Sequence, residues 1–325
     1  MTSLLDRFYA SQSNKRFFFR QGWGDLPLLK HILSAGFRIP PVRDLTMVWG
    51  REHLEQDARI RQGCFLSPFE APGFPQESRT GYCEEVLPRA ATLETPVCIH
   101  FAATGDEGFA RRRIALALPL VKHGIGSLIL ENPFYGKRRP PDQHGKMLNR
   151  FVDLYLMGAA TVQEGRALMQ WLRREGYGRL GVCGISMGGH MAAQVGTLSG
   201  EPAAIVACIA PHSAGAVFTE GILKKYLAWD VLERELDGSG SAPDLMRDFL
   251  DLTDIRHCPA PVTPRACFLV AAAQDAYIPP ESVMILHRSW PGSTLRWLKG
   301  GHVGAFLFHR RAFLDATVKA FAQLL

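Results

Sequence analysis

LGVCGISMGGHMAAQVG, residues 180–196, passes from a short apolar strand into a helix of small residues through one tight turn, Gly184-Ile185-Ser186-Met187-Gly188. A serine on a sharp strand-to-helix turn sits on strained backbone against a closely packed helix, so its neighbours must be small. Gly184 and Gly188 meet that need, and Gly189 extends it. The turn lifts the hydroxyl above the sheet edge and sets it at a helix N-terminus, where developing negative charge is stabilised.

Outward from this turn, strands and helices alternate. PVCIHFA (96–102), SLILENP (127–133), AAIVACIA (203–210), ACFLVAAA (266–273) and TLRWL (294–298) read as strands. Residues 109–122, 157–175, 188–197 and 305–325 read as helices. Such alternation predicts a mostly parallel central sheet with helices on both faces, and unbroken apolar strands fit burial on both sides. The whole chain, 1–325, reads as a single α/β domain. Residues 1–95 form an N-terminal arm with early antiparallel strands. Residues 214–262 interrupt the strand series as a small helical cap. Within that cap TEGILKKYLAWDVLEREL is expected to be one amphipathic helix, with Ile222, Leu223, Tyr226, Leu227 and Leu236 on its apolar side.

A serine hydroxyl is a weak nucleophile until a base takes its proton. In a sheet of this kind the acid and then the histidine follow later strands in the order serine, acid, histidine. Asp275 follows the apolar run in VAAAQDAYIP, and His302 follows the last strand in TLRWLKGGHVGAF. Asp275 would hold the imidazole in the right tautomer and stabilise its protonated form. Asp251 and Asp254 are rivals for the acid, but neither follows a clear strand. Two backbone N–H donors are needed for the oxyanion: Met187 after the nucleophile, and one from the loop His100-Phe101-Ala102-Ala103-Thr104-Gly105, with Ala102 preferred and Ala103 next. His212, at the end of AAIVACIA, and Ala103 are candidates for the substrate pocket. His190 reads as an interior residue. Arg111–Arg113 and Lys137–Arg139 follow strand ends at the ligand-binding edge, so they read either as a basic rim for an anionic ester, with Arg111 in contact with substrate, or as solvated charge runs.

The composition fits this reading. With 47% hydrophobic and 21% charged residues the chain is neither disordered nor fibrous. A net charge of +6 favours anionic surfaces but does not argue nucleic acid, for which no recognition element is present. Seven cysteines without a C-x-x-C pair argue against a zinc site and for a reducing compartment. No nucleotide-binding glycine loop or H-E-x-x-H motif occurs, and neither metal nor organic cofactor is expected. No apolar run approaches the roughly 20 residues of a membrane span. Arg7, Lys15, Arg16 and Arg20 against the single acid Asp6 make the N-terminus a basic amphipathic arm, with a mitochondrial presequence as the alternative. An intracellular protein, cytoplasmic or mitochondrial and not secreted, is therefore expected.

RQGWGD (20–25), VCIHFAATGDEGFARRR (97–113), SLILENPFYGKRRPPDQ (127–143), REGYGRLGVCGISMGGHMAA (174–193), VFTEGIL (217–223) and GGHVGAF (300–306) together resemble the alpha/beta-hydrolase domain-containing 18 family. That resemblance implies an α/β-hydrolase fold and a serine-hydrolase triad on Ser186, Asp275 and His302. It also implies a lipid or phospholipid acyl ester as substrate. Ala103 stands where the family loop is expected to carry glycine. The candidate functions are thus a serine acyl-ester hydrolase, an acyltransferase on the same three residues, amide hydrolysis, and a non-catalytic binder that keeps the fold. The expected partner is a small-molecule or lipid ester substrate, with peripheral contact to a membrane surface as a further option.

Overall fold

A computed structural model describes residues 2–13, 17–38, 40–238 and 240–324. Lys15 and Arg16 of the basic arm lie outside the described residues. The strands are β1 (Val48–Trp49), β2 (His53–Glu55), β3 (Ala58–Leu66), β4 (Thr80–Pro88), β5 (Val97–Phe101), β6 (Gly126–Leu130), β7 (Leu180–Ile185), β8 (Ala204–Cys208), β9 (Cys267–Ala272) and β10 (Thr294–Leu298). They form one sheet in the order β1-β3-β4-β6-β5-β7-β8-β9-β10, with β2 paired to β3. From β6 to β10 all neighbours are parallel, and the pairings of β1 to β4 are antiparallel.

The helices are α1 (Leu4–Ser13), α2 (Leu26–Ala35), α3 (Ala110–Arg112), α4 (Leu118–Val121), α5 (Phe151–Arg174), α6 (Met187–Leu198), α7 (Trp229–Leu236), α8 (Ala242–Leu250), α9 (Pro280–Ser289), α10 (His302–Phe308) and α11 (Arg310–Ala322). The apolar run of β8 is explained by two-sided burial. Ile205 and Ala207 join a core with Leu168 and Leu172 of α5 and Val195 of α6. Ala204, Val206 and Cys208 join another with Leu120 of α4 and Phe313 and Phe321 of α11. Side chains alternate across a strand, so both faces must be apolar when both are covered.

The chain runs from β5 outward to β6, then returns across β5 to β7. The carboxyl ends of β5 and β7 therefore flank a topological switch point, where open α/β sheets form their ligand crevice. Over it sits a third core that joins Phe18, Phe19 and Trp23 of the N-terminal arm to Phe151, Phe218, Leu232, Met246 and Phe249. The arm and the segment inserted between β8 and β9 thus share one core, whose Phe18, Phe218 and Phe249 line a cavity together with Ser186.

Two helical expectations require correction. The helix expected over 219–236 is broken. Phe18 bridges Leu227, accepting the Ala228 N–H and donating to the Tyr226 carbonyl at 2.8 Å, so backbone groups that a continuous helix would use internally are held by the arm. The helix expected over 305–325 begins earlier, at His302, and is divided at His309, where the backbone leaves helical geometry.

Candidate active site

Ser186 occupies the turn between β7 and α6 at φ 58°, ψ −122°. A non-glycine residue with positive φ stores strain that surrounding contacts must hold. The Ser186 N–H donates to the Cys208 carbonyl at 2.8 Å, and its carbonyl accepts from the His190 N–H at 3.1 Å. Close approach explains the flanking glycines. A Cβ on Gly184 would lie 2.1 Å from the Gly188 carbonyl carbon, and one on Gly188 would lie 2.4 Å from the Phe101 carbonyl oxygen.

Asp275 and His302 are brought together across the ends of β9 and β10. His302 Nδ1 lies 2.7 Å from Asp275 Oδ2. Asp275 Oδ1 accepts from the Tyr277 and Ile278 N–H groups at 2.8 and 2.9 Å, which fixes the carboxylate plane. The Tyr277 ring lies against the imidazole with centroids 4.9 Å apart. Burial alone would lower the His302 pKa. The charge and hydrogen bond of Asp275, with the charge of Asp6, outweigh it and raise the pKa above its usual value. The rival acids are engaged elsewhere: Asp251 accepts from the Ser213 hydroxyl and Asp254 pairs with Arg256.

Ser186 and His302 line one cavity of about 720 Å³, together with Met187, Ala103 and Arg111. No side chain among the described residues hydrogen-bonds the Ser186 hydroxyl, and Ser186 shares the cavity wall with His302. The remaining walls are largely apolar and include Phe18, Phe37, Phe69, Leu154, Phe249 and Phe306.

The other expected residues fall as follows. Ala102 is fully buried and does not line the cavity, whereas Ala103 does. His212 does not line it either: its Nδ1 lies 2.7 Å from the Ser282 hydroxyl and its Nε2 3.8 Å from Asp254. His190 reaches the cavity wall from α6, with Nδ1 3.1 Å from the Pro211 carbonyl. Burial pushes its pKa down to about 4, so it is neutral at pH 7.

The basic rim requires the largest correction. Arg112 is buried on Asp106 at 3.0 Å, and Arg113 pairs with Glu84 at 2.9 Å. Arg138 is wholly buried against Glu164, Arg139 pairs with Glu107, and Lys137 lies over the Tyr82 ring. Only Arg111 of the six reaches the cavity, while Lys146, from a segment without a motif, lines it as well. Asp6 is a site residue that no sequence motif marks. It is buried on α1 and accepts backbone N–H groups from the loops that carry Asp275 and His302.

A mostly parallel sheet with a strained serine turn at its switch point defines the α/β-hydrolase fold. The chain belongs to the alpha/beta hydrolase domain containing 18 family, whose sequence model matches residues 16–245 and 239–323. Among solved structures it is similar to an acetyl xylan esterase from Paenibacillus sp. R4, at 13% identity and a TM-score of 0.60 over 95% of this chain and 98% of that one. It is also similar to acetyl xylan esterase 1 from Thermoanaerobacterium sp. JW/SL YS485, at 12% identity and a TM-score of 0.56 over 94% and 98%. Est1E from Butyrivibrio proteoclasticus, solved with ferulic acid, has 15% identity and a TM-score of 0.53 over 75% and 94%. At these identities the likeness establishes the fold.

Proposed function

We propose that this protein is a serine hydrolase that cleaves a carboxylic acyl ester through an acyl-enzyme. The observation that carries the reading is the strained Ser186 turn opening on the same cavity as His302, whose Nδ1 is bonded to Asp275. Ser186 attacks the ester carbonyl carbon while His302 Nε2 takes its proton. The oxyanion is held by the Met187 N–H and by the loop after β5, where Ala103 is favoured because it faces the cavity. His302 then delivers its proton to the leaving alcohol. Water adds to the acyl-enzyme by the reverse proton path and releases the acid.

A lipid acyl ester is the proposed substrate. The apolar walls suit acyl chains, and Arg111 and Lys146 on the same cavity suit an anionic head group such as phosphate. Exposed Leu4 and Phe8 of α1, with Leu307 and Phe308 of α10, would rest on the lipid surface. No helix among the described residues is long and apolar enough to cross a membrane, so contact would be peripheral. The test is hydrolysis of phospholipid vesicles compared with short water-soluble esters and matched amides, using Ser186→Ala as control. Release of fatty acid from vesicles by wild type alone supports the reading. Cleavage of short esters only would remove the lipid assignment, and transfer of the acyl group to an added alcohol in place of water would make the enzyme an acyltransferase.

A further inference from the structure

We propose that Asp6 is a positioning residue of the active site: its carboxylate ties the Asp275 loop to the His302 loop and holds the imidazole in place. This rests on the reading of His302 as the catalytic base. Asp6 Oδ2 accepts from the Ala276 N–H at 3.0 Å and from the His302 N–H at 2.9 Å, and Oδ1 accepts from the Val303 N–H at 2.9 Å. One fully buried carboxylate thus binds the residue after the acid, the histidine itself and the residue beyond it. Hydrogen bonds to an ionised acceptor are the strong kind, and a negative charge at the first turn of α10 is favoured by its free N–H groups.

The glycine before the histidine supplies a second, independent observation. A Cβ on Gly301 would lie 2.3 Å from Ser3 Cβ and 2.4 Å from Asp6 Oδ2. Glycine at 301 leaves the space into which α1 inserts. Ser3 completes the docking by donating its N–H to the Gln274 carbonyl at 2.9 Å. The arm that reads from sequence as basic and amphipathic therefore carries a side chain bound into the site, some 296 residues from the histidine it holds. The family match begins only at residue 16, beyond this helix.

Around His302 the titratable and charged groups are Asp275 and Tyr277 from the loop after β9, Asp6 and Tyr9 from α1, and Arg111, Lys146 and His190 on the shared cavity wall. Asp6 and Asp275 both favour the protonated imidazole, so removing the Asp6 charge lowers the His302 pKa.

The test compares wild type with Asp6→Asn in the full chain by three readouts. NMR titration of the His302 imidazole needs no activity. The pH profile of kcat for a chromogenic ester and the melting temperature accompany it. The expected result is a lower His302 pKa, an acid limb displaced to lower pH, and kcat reduced roughly 10–100-fold with KM little changed, as for a base slightly out of place. Gly301→Ala, which displaces α1 but keeps every charge on it, should lower the imidazole pKa and kcat in the same direction. An unchanged pKa with unchanged kcat in both variants overturns the proposal. So does a fall in kcat and melting temperature with the His302 pKa in place, which would make Asp6 structural only. Failure of a fluorophosphonate probe to label the wild type would sink the hydrolase reading separately, because the imidazole titration would still report whether Asp6 holds His302.

Discussion

Replacing Asp275 by asparagine tests the acid's role through the tautomer of His302. Asp275 Oδ1 accepts two backbone N–H groups, from Tyr277 and Ile278. In Asp275→Asn the amide oxygen must occupy that position, because an NH2 group there would face two donors. The amide NH2 is then left in the place of Oδ2, 2.7 Å from His302 Nδ1. It donates to Nδ1, which must therefore be unprotonated, and the ring proton is forced onto Nε2. An imidazole with Nε2 protonated cannot accept the Ser186 proton. The isosteric change keeps the packing but removes the base, so kcat should fall about 10⁴-fold, roughly 5.5 kcal/mol of transition-state stabilisation, as for triads in other hydrolases. The assay is ester hydrolysis under saturating substrate, with the tautomer read from imidazole nitrogen shifts. A variant that keeps more than a tenth of wild-type kcat, or that shows the proton still on Nδ1, would refute the reasoning.

Other perturbations follow from single contacts. Gly188→Ala places a methyl 2.4 Å from the Phe101 carbonyl oxygen and 2.8 Å from that of Ala102, and backbone cannot yield as a side-chain tip can. It should cost about 1–3 kcal/mol in urea unfolding and abolish probe labelling; full labelling at wild-type stability would contradict the close approach. Glu164→Gln leaves the wholly buried Arg138 without its counter-charge and should cost about 3–5 kcal/mol, much of it recovered in Arg138→Met/Glu164→Leu. A single variant as stable as wild type would show that the pair is not buried. Burial pushes the Asp153 pKa up from 3.8 to about 6, against a hydrogen bond from the Arg150 N–H. The folded pKa lies above the unfolded one, so stability is lost as pH rises through this window. The loss is complete above about pH 6 and amounts to at most about 3 kcal/mol. Asp153→Asn keeps the acceptor oxygen, so it should stabilise at pH 7.5 and gain nothing near pH 4; a gain independent of pH would remove burial as the cause.

Much of the centre was legible in the sequence. β5, β7, β8 and β9 announce themselves because strands covered on both faces must be apolar throughout. Ser186, Asp275 and His302 stand out because each follows a strand at the same edge. What escaped depends on contacts distant in sequence. Nothing near Asp6 in the chain shows that three N–H groups beyond residue 275 converge on it. The helix expected over 219–236 has the right periodicity, yet Phe18 takes its backbone at Tyr226 and Ala228. The basic triplets misled because charge in sequence does not reveal partners: Glu84, Asp106, Glu107 and Glu164 pair with five of the six residues, Asp106 with both Arg111 and Arg112. Ala102 and Ala103 are adjacent and chemically identical, so only the direction of the loop after β5 distinguishes them.

The central claim, an activated Ser186, is tested most directly by a fluorophosphonate probe followed by peptide mass mapping. Wild type, Ser186→Ala and His302→Ala would be compared after each is shown to be folded. The account predicts a single adduct on the peptide containing Ser186, no adduct in Ser186→Ala, and labelling slowed by orders of magnitude in His302→Ala. An adduct on another residue, or labelling of wild type no faster than that of His302→Ala, would contradict it.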